Sequence, residues 1–159
     1  MNYNKYSNNE TLVSEIGLGG AQLGLNAASW SRLLEQSAIH MVHQALELGV
    51  NFFDTAPIYG HGLSEIRLGK ALKKTNRSKV VINTKFGSTD TGKLNFNANY
   101  IRESLEGSLK RLDTDYIDSL IIHNPPSTYL DGNNNPHYEI LEHLIDEGKI
   151  KAYGASLDS

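Results

Sequence analysis

Four polar residues, Asp54, Lys85, His123 and Ser156, each follow a short apolar stretch of the sequence. They recur at intervals of roughly 30 residues or a little more, about the length of one strand–helix–strand unit. In a parallel α/β barrel the carboxyl ends of the strands form one rim, and active sites are built on that rim. The joint pattern therefore predicts that these groups gather around one opening, although each spacing alone is unspecific.

The residue types at these positions favour proton transfer. A lysine at the end of an apolar strand is poorly hydrated and needs an anionic partner, which Asp54 could supply to Lys85 from the neighbouring strand. Tyr59 lies on the loop that leaves the Asp54 strand, where Pro57 and Gly60 interrupt the chain. An ammonium beside a phenol stabilises the phenolate. Tyr59 could therefore act as a general acid that gives its proton to a carbonyl oxygen.

Two further features concern substrate and cofactor. His123 could donate a hydrogen bond to the same carbonyl oxygen and so orient the substrate. None of these residues supplies a hydride or electrons, so a reductase would need a cofactor. The pair Gly19-Gly20 could let the backbone approach that cofactor, or could simply form a turn. Trp30 and the loop around it could line a substrate pocket or only cover the opening.

Apolar runs rich in β-branched residues predict five strands, and the last four end at the polar residues named above. The predicted strands are Ile16–Gly20, Val50–Phe53, Lys79–Thr84, Tyr116–Ile122 and Lys149–Ala155. Residues 2–18 also predict a β-hairpin ahead of the main domain. Residues 21–36, 88–97 and 127–136 are predicted loops.

Apolar residues at helical spacing lie between successive strands and predict four helices, over Ala38–Leu46, Leu68–Leu72, Ile101–Leu112 and Leu141–Ile145. Gly49 and Gly148 are predicted helix ends, and Ser64 is a predicted N-cap. Strands that alternate with helices indicate a parallel sheet with right-handed crossovers. The continuous apolar strands are typical of a sheet covered on both faces.

Composition narrows the class of protein. The 159 residues suit about one domain, and the net charge of −3 without a basic stripe gives nucleic-acid binding little support. The chain has no cysteine, and its six histidines show no metal-ligand spacing, so we expect no metal site. Without a signal-peptide core or an apolar run of roughly 20 residues, we expect a cytoplasmic protein that does not enter the membrane.

Two stretches resemble the signatures of the aldo-keto reductase family. The first is GVNFFDTAPIYG over residues 49–60, followed by Ser64-Glu65 and Leu68-Gly69, and the second is YIRESLEGSLKRLDTDYID over residues 100–118. The resemblance covers nearly the whole chain. It implies a catalytic tetrad in which Tyr59 donates the proton, Lys85 and Asp54 promote its ionisation, and His123 orients the substrate.

The resemblance also implies a (β/α)8 barrel that reduces an aldehyde or ketone with NADPH, or with NADH as a second possibility. The expected cofactor-binding residues are Gly19, Gly20, Asp54 and Ser156. Many members of the family carry Ser-Asn after the fifth strand, where it holds the nicotinamide carboxamide. Here Ser156 is followed by Leu157.

Members of the family run to about twice this length, as (β/α)8 barrels generally do. We therefore interpret residues 1–159 as one partial barrel that stops after its fifth strand. An alternative is a non-catalytic fragment, or a partial barrel that needs a partner or the missing C-terminal half. Open sheet edges invite pairing, so self-association is expected. A binding subunit that senses the cofactor is a further possibility.

Overall fold

The computed structural model describes residues 1–6, 11–25, 33–89, 93–132 and 136–157. Trp30, which the sequence suggests as part of a substrate pocket, lies outside these ranges. Within these ranges lie a hairpin, a five-stranded sheet, helices and the connections between them.

A short antiparallel hairpin precedes the main sheet, as the sequence predicts. Its strands are β1 (Tyr3–Lys5) and β2 (Leu12–Ser14). The side chain of Asn51 fastens β2 to the domain, because its amide donates to the carbonyl of Leu12 at 2.8 Å while its oxygen accepts from the backbone N–H of Ser14 at 2.8 Å. The hairpin is thus held at the start of the strand that carries Asp54.

Five parallel strands form the main sheet, in the order in which they occur along the chain. This order places each strand beside its predecessor, as expected for successive right-handed strand–helix–strand units. The strands are β3 (Leu18–Gly19), β4 (Phe52–Asp54), β5 (Val81–Phe86), β6 (Ile117–His123) and β7 (Ile150–Ser156).

One α-helix connects each successive pair of these strands, which confirms the predicted alternation. The helices are α1 (Glu35–Glu47), α2 (Leu63–Leu72), α3 (Ala98–Leu112) and α4 (Pro136–Asp146). Gly49 and Gly148 follow α1 and α4 with φ of +88° and +70°, the left-handed conformation that ends helices at glycine. Within the described residues, no helix is both long and apolar enough to cross a membrane.

The two faces of the sheet differ in character. Phe53, Ile82 and Leu120 are about 1% exposed and belong to the apolar core, which also contains residues of all four helices. Side chains on a strand alternate between faces, so their neighbours Asp54, Asn83 and Ser119 point to the opposite side. The inner face of the sheet is therefore polar at the level where Asp54 lies.

The strands are staggered relative to one another. Asp54 is in register with Asn83, which lies two residues before Lys85 on β5. Lys85 is in turn in register with Ile121, which lies two residues before His123 on β6. A stagger of this kind accompanies strands that tilt about a barrel axis. This stagger places the strand-end residues along a curved rim.

Some local predictions need correction. Ser64 is not the N-cap of α2, because that helix begins at Leu63 after Gly62, which has a φ of +83°. The buried hydroxyl of Ser64 instead donates to the carbonyl of Gly20 at 2.7 Å and contacts Thr55 Oγ1 at 2.8 Å. The predicted loops over residues 21–36 and 127–136 contain short 3-10 helices, over Gln22–Gly24 and Ser127–Tyr129.

Candidate active site

Lys85 and Asp54 form an ion pair at the end of neighbouring strands. The ammonium Nζ donates to both carboxylate oxygens of Asp54, at 2.8 and 2.6 Å, and to the carbonyl of Thr55 at 3.0 Å. The Lys85 side chain is 6% exposed, whereas that of Asp54 is 31% exposed. A buried charge is costly unless it is paired and hydrogen-bonded, and Lys85 meets both conditions.

The half-buried Tyr59 ring lies against this ion pair and against His123. The Nζ of Lys85 is 5.0 Å from the centroid of the Tyr59 ring, within the range of a cation–π contact. The His123 ring meets the same phenol edge-on, with centroids 6.3 Å apart and planes at 86°. The structure thus brings together the four residues that the sequence assigns to a tetrad. Their catalytic roles remain predictions.

A close crossing of two backbone segments positions the Tyr59 loop. Gly60 has a φ of +64°, and a Cβ added there would lie 2.0 Å from the carbonyl oxygen of Gly24. A Cβ on Gly24 would lie 2.5 Å from the carbonyl carbon of Tyr59. Because real Cβ atoms essentially never approach closer than 3.0 Å, this crossing requires glycine on both segments. The sequence analysis identified Gly60 as a chain break but missed Gly24.

Ser156 lies on the same rim as His123. The two residues are in register at the ends of β7 and β6, and the N–H of Asn124 donates to the carbonyl of Ser156 at 2.8 Å. The structure places Ser156 next to the residue proposed to orient the substrate. Its predicted contact with a cofactor remains a prediction.

The two glycines at the end of the first strand have different surroundings. Gly19 is in register with Asp54, and a Cβ added to it would meet no atom within 4 Å. Gly19 and Asp54 both border an open cavity of about 370 Å³. A Cβ on Gly20 would lie 2.7 Å from the carbonyl oxygen of Asp54. Close packing therefore explains glycine at position 20, whereas the open space beside Gly19 leaves room for a ligand.

The sequence analysis missed three residues that extend the site into the sheet interior. Asn83 Nδ2 donates a short hydrogen bond to Asp54 Oδ1, and Ser119 Oγ donates one to Asn83 Oδ1. The hydroxyl of Tyr6 bonds to Ser119 Oγ, and burial raises the pKa of Tyr6, which keeps its phenol protonated. Asn83 and Ser119 are polar residues inside apolar runs, on the same face as Lys85 and His123. That alternation could have identified them.

The arrangement suits proton transfer to a small polar group. It offers a phenol beside a fixed ammonium, an imidazole at the phenol's edge and a hydroxyl further along the rim. Among the described residues, no group of three or more His, Asp or Glu side chains could hold a metal ion. The phenol, ammonium, imidazole and hydroxyl can supply acid–base chemistry and hydrogen bonding.

Comparison with known proteins gives consistent results over the length of the chain. The model of the Aldo/keto reductase family matches residues 15–158. "Probable aldo-keto reductase 1" of Glycine max is 38% identical over 151 residues, which cover 91% of this chain and 41% of the relative. The "NADH-specific methylglyoxal reductase" of Escherichia coli is 36% identical in a 162-residue alignment that covers 91% of this chain and 48% of that protein.

Solved structures show the same relationship. The holo form of an aldo-keto reductase from Bacillus halodurans superposes with a TM-score of 0.83 at 34% identity, over 99% of this chain and 50% of its own. The aldo/keto reductase from Klebsiella pneumoniae, in complex with NADP and acetate, superposes with a TM-score of 0.73 at 30% identity, over 93% of this chain and 47% of its own.

The predicted fold is confirmed, because these neighbours are (β/α)8 barrels and the present sheet matches the N-terminal part of one. The chain spans about half the length of the relatives and solved structures that it matches. The family model, the relatives and the solved structures all indicate the same family. The chain belongs to the aldo/keto reductase family.

Proposed function

We propose that this chain supplies the proton-transfer site of an oxidoreductase that reduces an aldehyde or ketone with a nicotinamide cofactor. The observation that carries the proposal is the buried Lys85 ammonium, held by both oxygens of Asp54 and lying against the Tyr59 ring. This lysine therefore places its ammonium beside a phenol. That charge favours loss of the phenolic proton.

The proposed steps follow from the positions of the side chains. His123 donates a hydrogen bond to the carbonyl oxygen and fixes its orientation. Tyr59 gives its proton to that oxygen as the carbonyl carbon receives a hydride, so the π bond of the carbonyl is replaced by one C–H and one O–H bond and the C–O single bond of the alcohol remains. Lys85 stabilises the phenolate that remains, and Asp54 keeps Lys85 in place. Tyr59 regains its proton from water after the alcohol leaves.

A bound nicotinamide would supply the hydride. We propose NADPH first, because a neighbouring structure from Klebsiella pneumoniae is a complex with NADP, and NADH second, because the Escherichia coli relative is named as NADH-specific. Gly19, Asp54 and Ser156 are the residues proposed to hold it. The open space beside Gly19 and the rim position of Ser156 fit this role.

The test measures cofactor oxidation by a panel of small aldehydes and ketones in two assemblies. One assembly is the chain alone, and the other is the chain joined to the C-terminal half of the Bacillus halodurans reductase, whose N-terminal half it matches. We expect turnover in the joined assembly, and we expect Tyr59→Phe to abolish it while leaving cofactor binding unchanged. The matched control is Tyr116→Phe, which keeps a ring between Arg77 and Lys151. Full turnover in Tyr59→Phe would remove Tyr59 from the acid role.

A second candidate function is a partial barrel that acts only with a partner. The observation that favours it is the sheet itself, in which β3 and β7 are edge strands among the described residues. The seven residues of β7 pair with β6 on one side and present backbone groups on the other. Such an edge recruits further strands. Light scattering that shows a stable monomer with a cooperative melt would contradict this candidate.

A further inference from the structure

We infer that Asn83, Ser119 and Tyr6 form a positioning relay that fixes the Asp54 carboxylate, so that the N-terminal hairpin region takes part in setting the proton-transfer site. The inference rests on the proposed function above. It concerns residues that act through the Asp54 carboxylate. Asn83 and Ser119 lie on the interior face of the sheet, and Tyr6 reaches that face from the end of β1.

The relay begins in a buried part of the structure. Asn83 is 6% exposed and Ser119 is 2% exposed. Asn83 is in register with Asp54 on one side and with Ser119 on the other, so the three side chains form one row across β4, β5 and β6. Tyr6 meets this row at Ser119 and also packs against Phe52, with ring centroids 5.8 Å apart.

The direction of each hydrogen bond is determined by its neighbour. Asp54 is a carboxylate bound to an ammonium, so it accepts, and the side-chain NH2 of Asn83 must face it. The amide oxygen of Asn83 then faces Ser119, which must donate. Because the Ser119 hydroxyl already donates its proton to Asn83, it accepts from Tyr6, and Tyr6 is the donor. All three bonds therefore point the same way, towards Asp54.

A chain of aligned hydrogen bonds polarises its members and strengthens the last bond, here the one to the carboxylate. Asp54 Oδ1 accepts from both Asn83 and Lys85, which restrains rotation of the carboxylate. If that restraint is lost, the two-oxygen contact with Lys85 loosens and the phenolate of Tyr59 is less well stabilised. The relay therefore acts on proton transfer through Asp54 and Lys85.

The test uses Tyr6→Phe and Ser119→Ala in whichever of the two assemblies reduces a carbonyl. The matched control for Tyr6→Phe is Tyr3→Phe, because Tyr3 lies in the same hairpin and its hydroxyl donates to the carbonyl of Gly49 at 2.8 Å, away from the relay. The control for Ser119→Ala is the fully buried Ser108→Ala on α3. Each control removes one hydroxyl without touching the relay.

We expect both relay variants to lower kcat severalfold, up to about tenfold, the rate equivalent of one neutral hydrogen bond, with little change in KM for the carbonyl. The limb of the kcat–pH profile that reports the proton donor should move to higher pH. The controls should leave that limb in place. Equal effects of Tyr6→Phe and Tyr3→Phe, or an unmoved limb in both relay variants, would overturn the inference.

A second readout does not depend on activity. In the ¹⁵N-labelled chain, the side-chain amide protons of Asn83 should exchange slowly with solvent, and Ser119→Ala should speed that exchange while Ser108→Ala does not. Fast exchange in the unmodified chain would refute the relay. Slow exchange in a chain with no turnover in either assembly would refute the proposed function and leave the relay standing.

Discussion

Replacing Gly60 by alanine tests whether the backbone crossing beside Tyr59 sets the reaction geometry. The added Cβ would lie 2.0 Å from the carbonyl oxygen of Gly24, and contacts under 3.0 Å are essentially never observed. The two segments must therefore separate by at least about 1 Å, the difference between these distances. A misplacement of about 1 Å from a neighbouring change can cost roughly a hundredfold in rate.

The same substitution also carries a backbone cost that must be separated from the clash. Gly60 has a φ of +64°, and an L-residue in the left-handed region costs about 1–2 kcal/mol. Gly132→Ala provides the matched control, because Gly132 has a φ of +73° but a Cβ there would meet no atom within 4 Å. The control should lose a similar amount of stability from φ alone and should keep its activity.

The assay compares kcat for a small aldehyde with the free energy of unfolding, in both variants and in the unmodified protein. We expect Gly60→Ala to lose roughly a hundredfold in kcat. Its loss of stability should exceed that of Gly132→Ala. If Gly60→Ala keeps full activity, or loses activity only in proportion to unfolding, the crossing does not position Tyr59 and the reasoning fails.

Three further predictions concern stability and assembly. Glu65 is fully buried and forms an ion pair with Arg111 at 2.6 Å. Glu65→Ala should therefore lower the free energy of unfolding in urea by about 3–5 kcal/mol. The control Glu35→Ala breaks an exposed ion pair with Lys70 and should lower it by at most about 1 kcal/mol. Similar losses would contradict the burial argument. Burial lowers the pKa of His137, so the unfolded chain binds a proton first on acidification. Stability should therefore fall as the pH drops below about 6.5, and His137→Phe should remove that loss. Purified chain should self-associate in light scattering, and a monomer at all concentrations would refute this.

The rim could be predicted from the sequence because each apolar run stops at a chemically distinctive residue. Asp54, Lys85 and His123 were found in this way, and the parallel order of strands follows from the alternation with helices. Strand lengths were harder to predict. The first strand keeps only Leu18–Gly19 of its predicted five residues, since pairing with β4 and not the local sequence sets its length.

The remaining features depend on contacts between distant parts of the chain. Tyr6 and Ser119 are 113 residues apart, and nothing in the local sequence around Tyr6 indicates that they meet. The contact of Gly24 with Gly60 is of the same kind. Asn83 and Ser119 were overlooked for another reason. In the sequence alone, a polar residue inside an apolar run does not stand out, although its alternation with Lys85 or His123 places it on the inner face.

This chain contains the full set of side chains proposed for proton transfer but only a few of those proposed to hold the cofactor. Asp54, Tyr59, Lys85 and His123 make their contacts with one another here, whereas the residues proposed for the cofactor reduce to a few rim positions such as Gly19 and Ser156. We therefore expect this chain alone to bind NADPH weakly. Joining the Bacillus halodurans half should tighten cofactor binding. Fluorescence titration of NADPH tests the first expectation, and micromolar binding by the chain alone would contradict it.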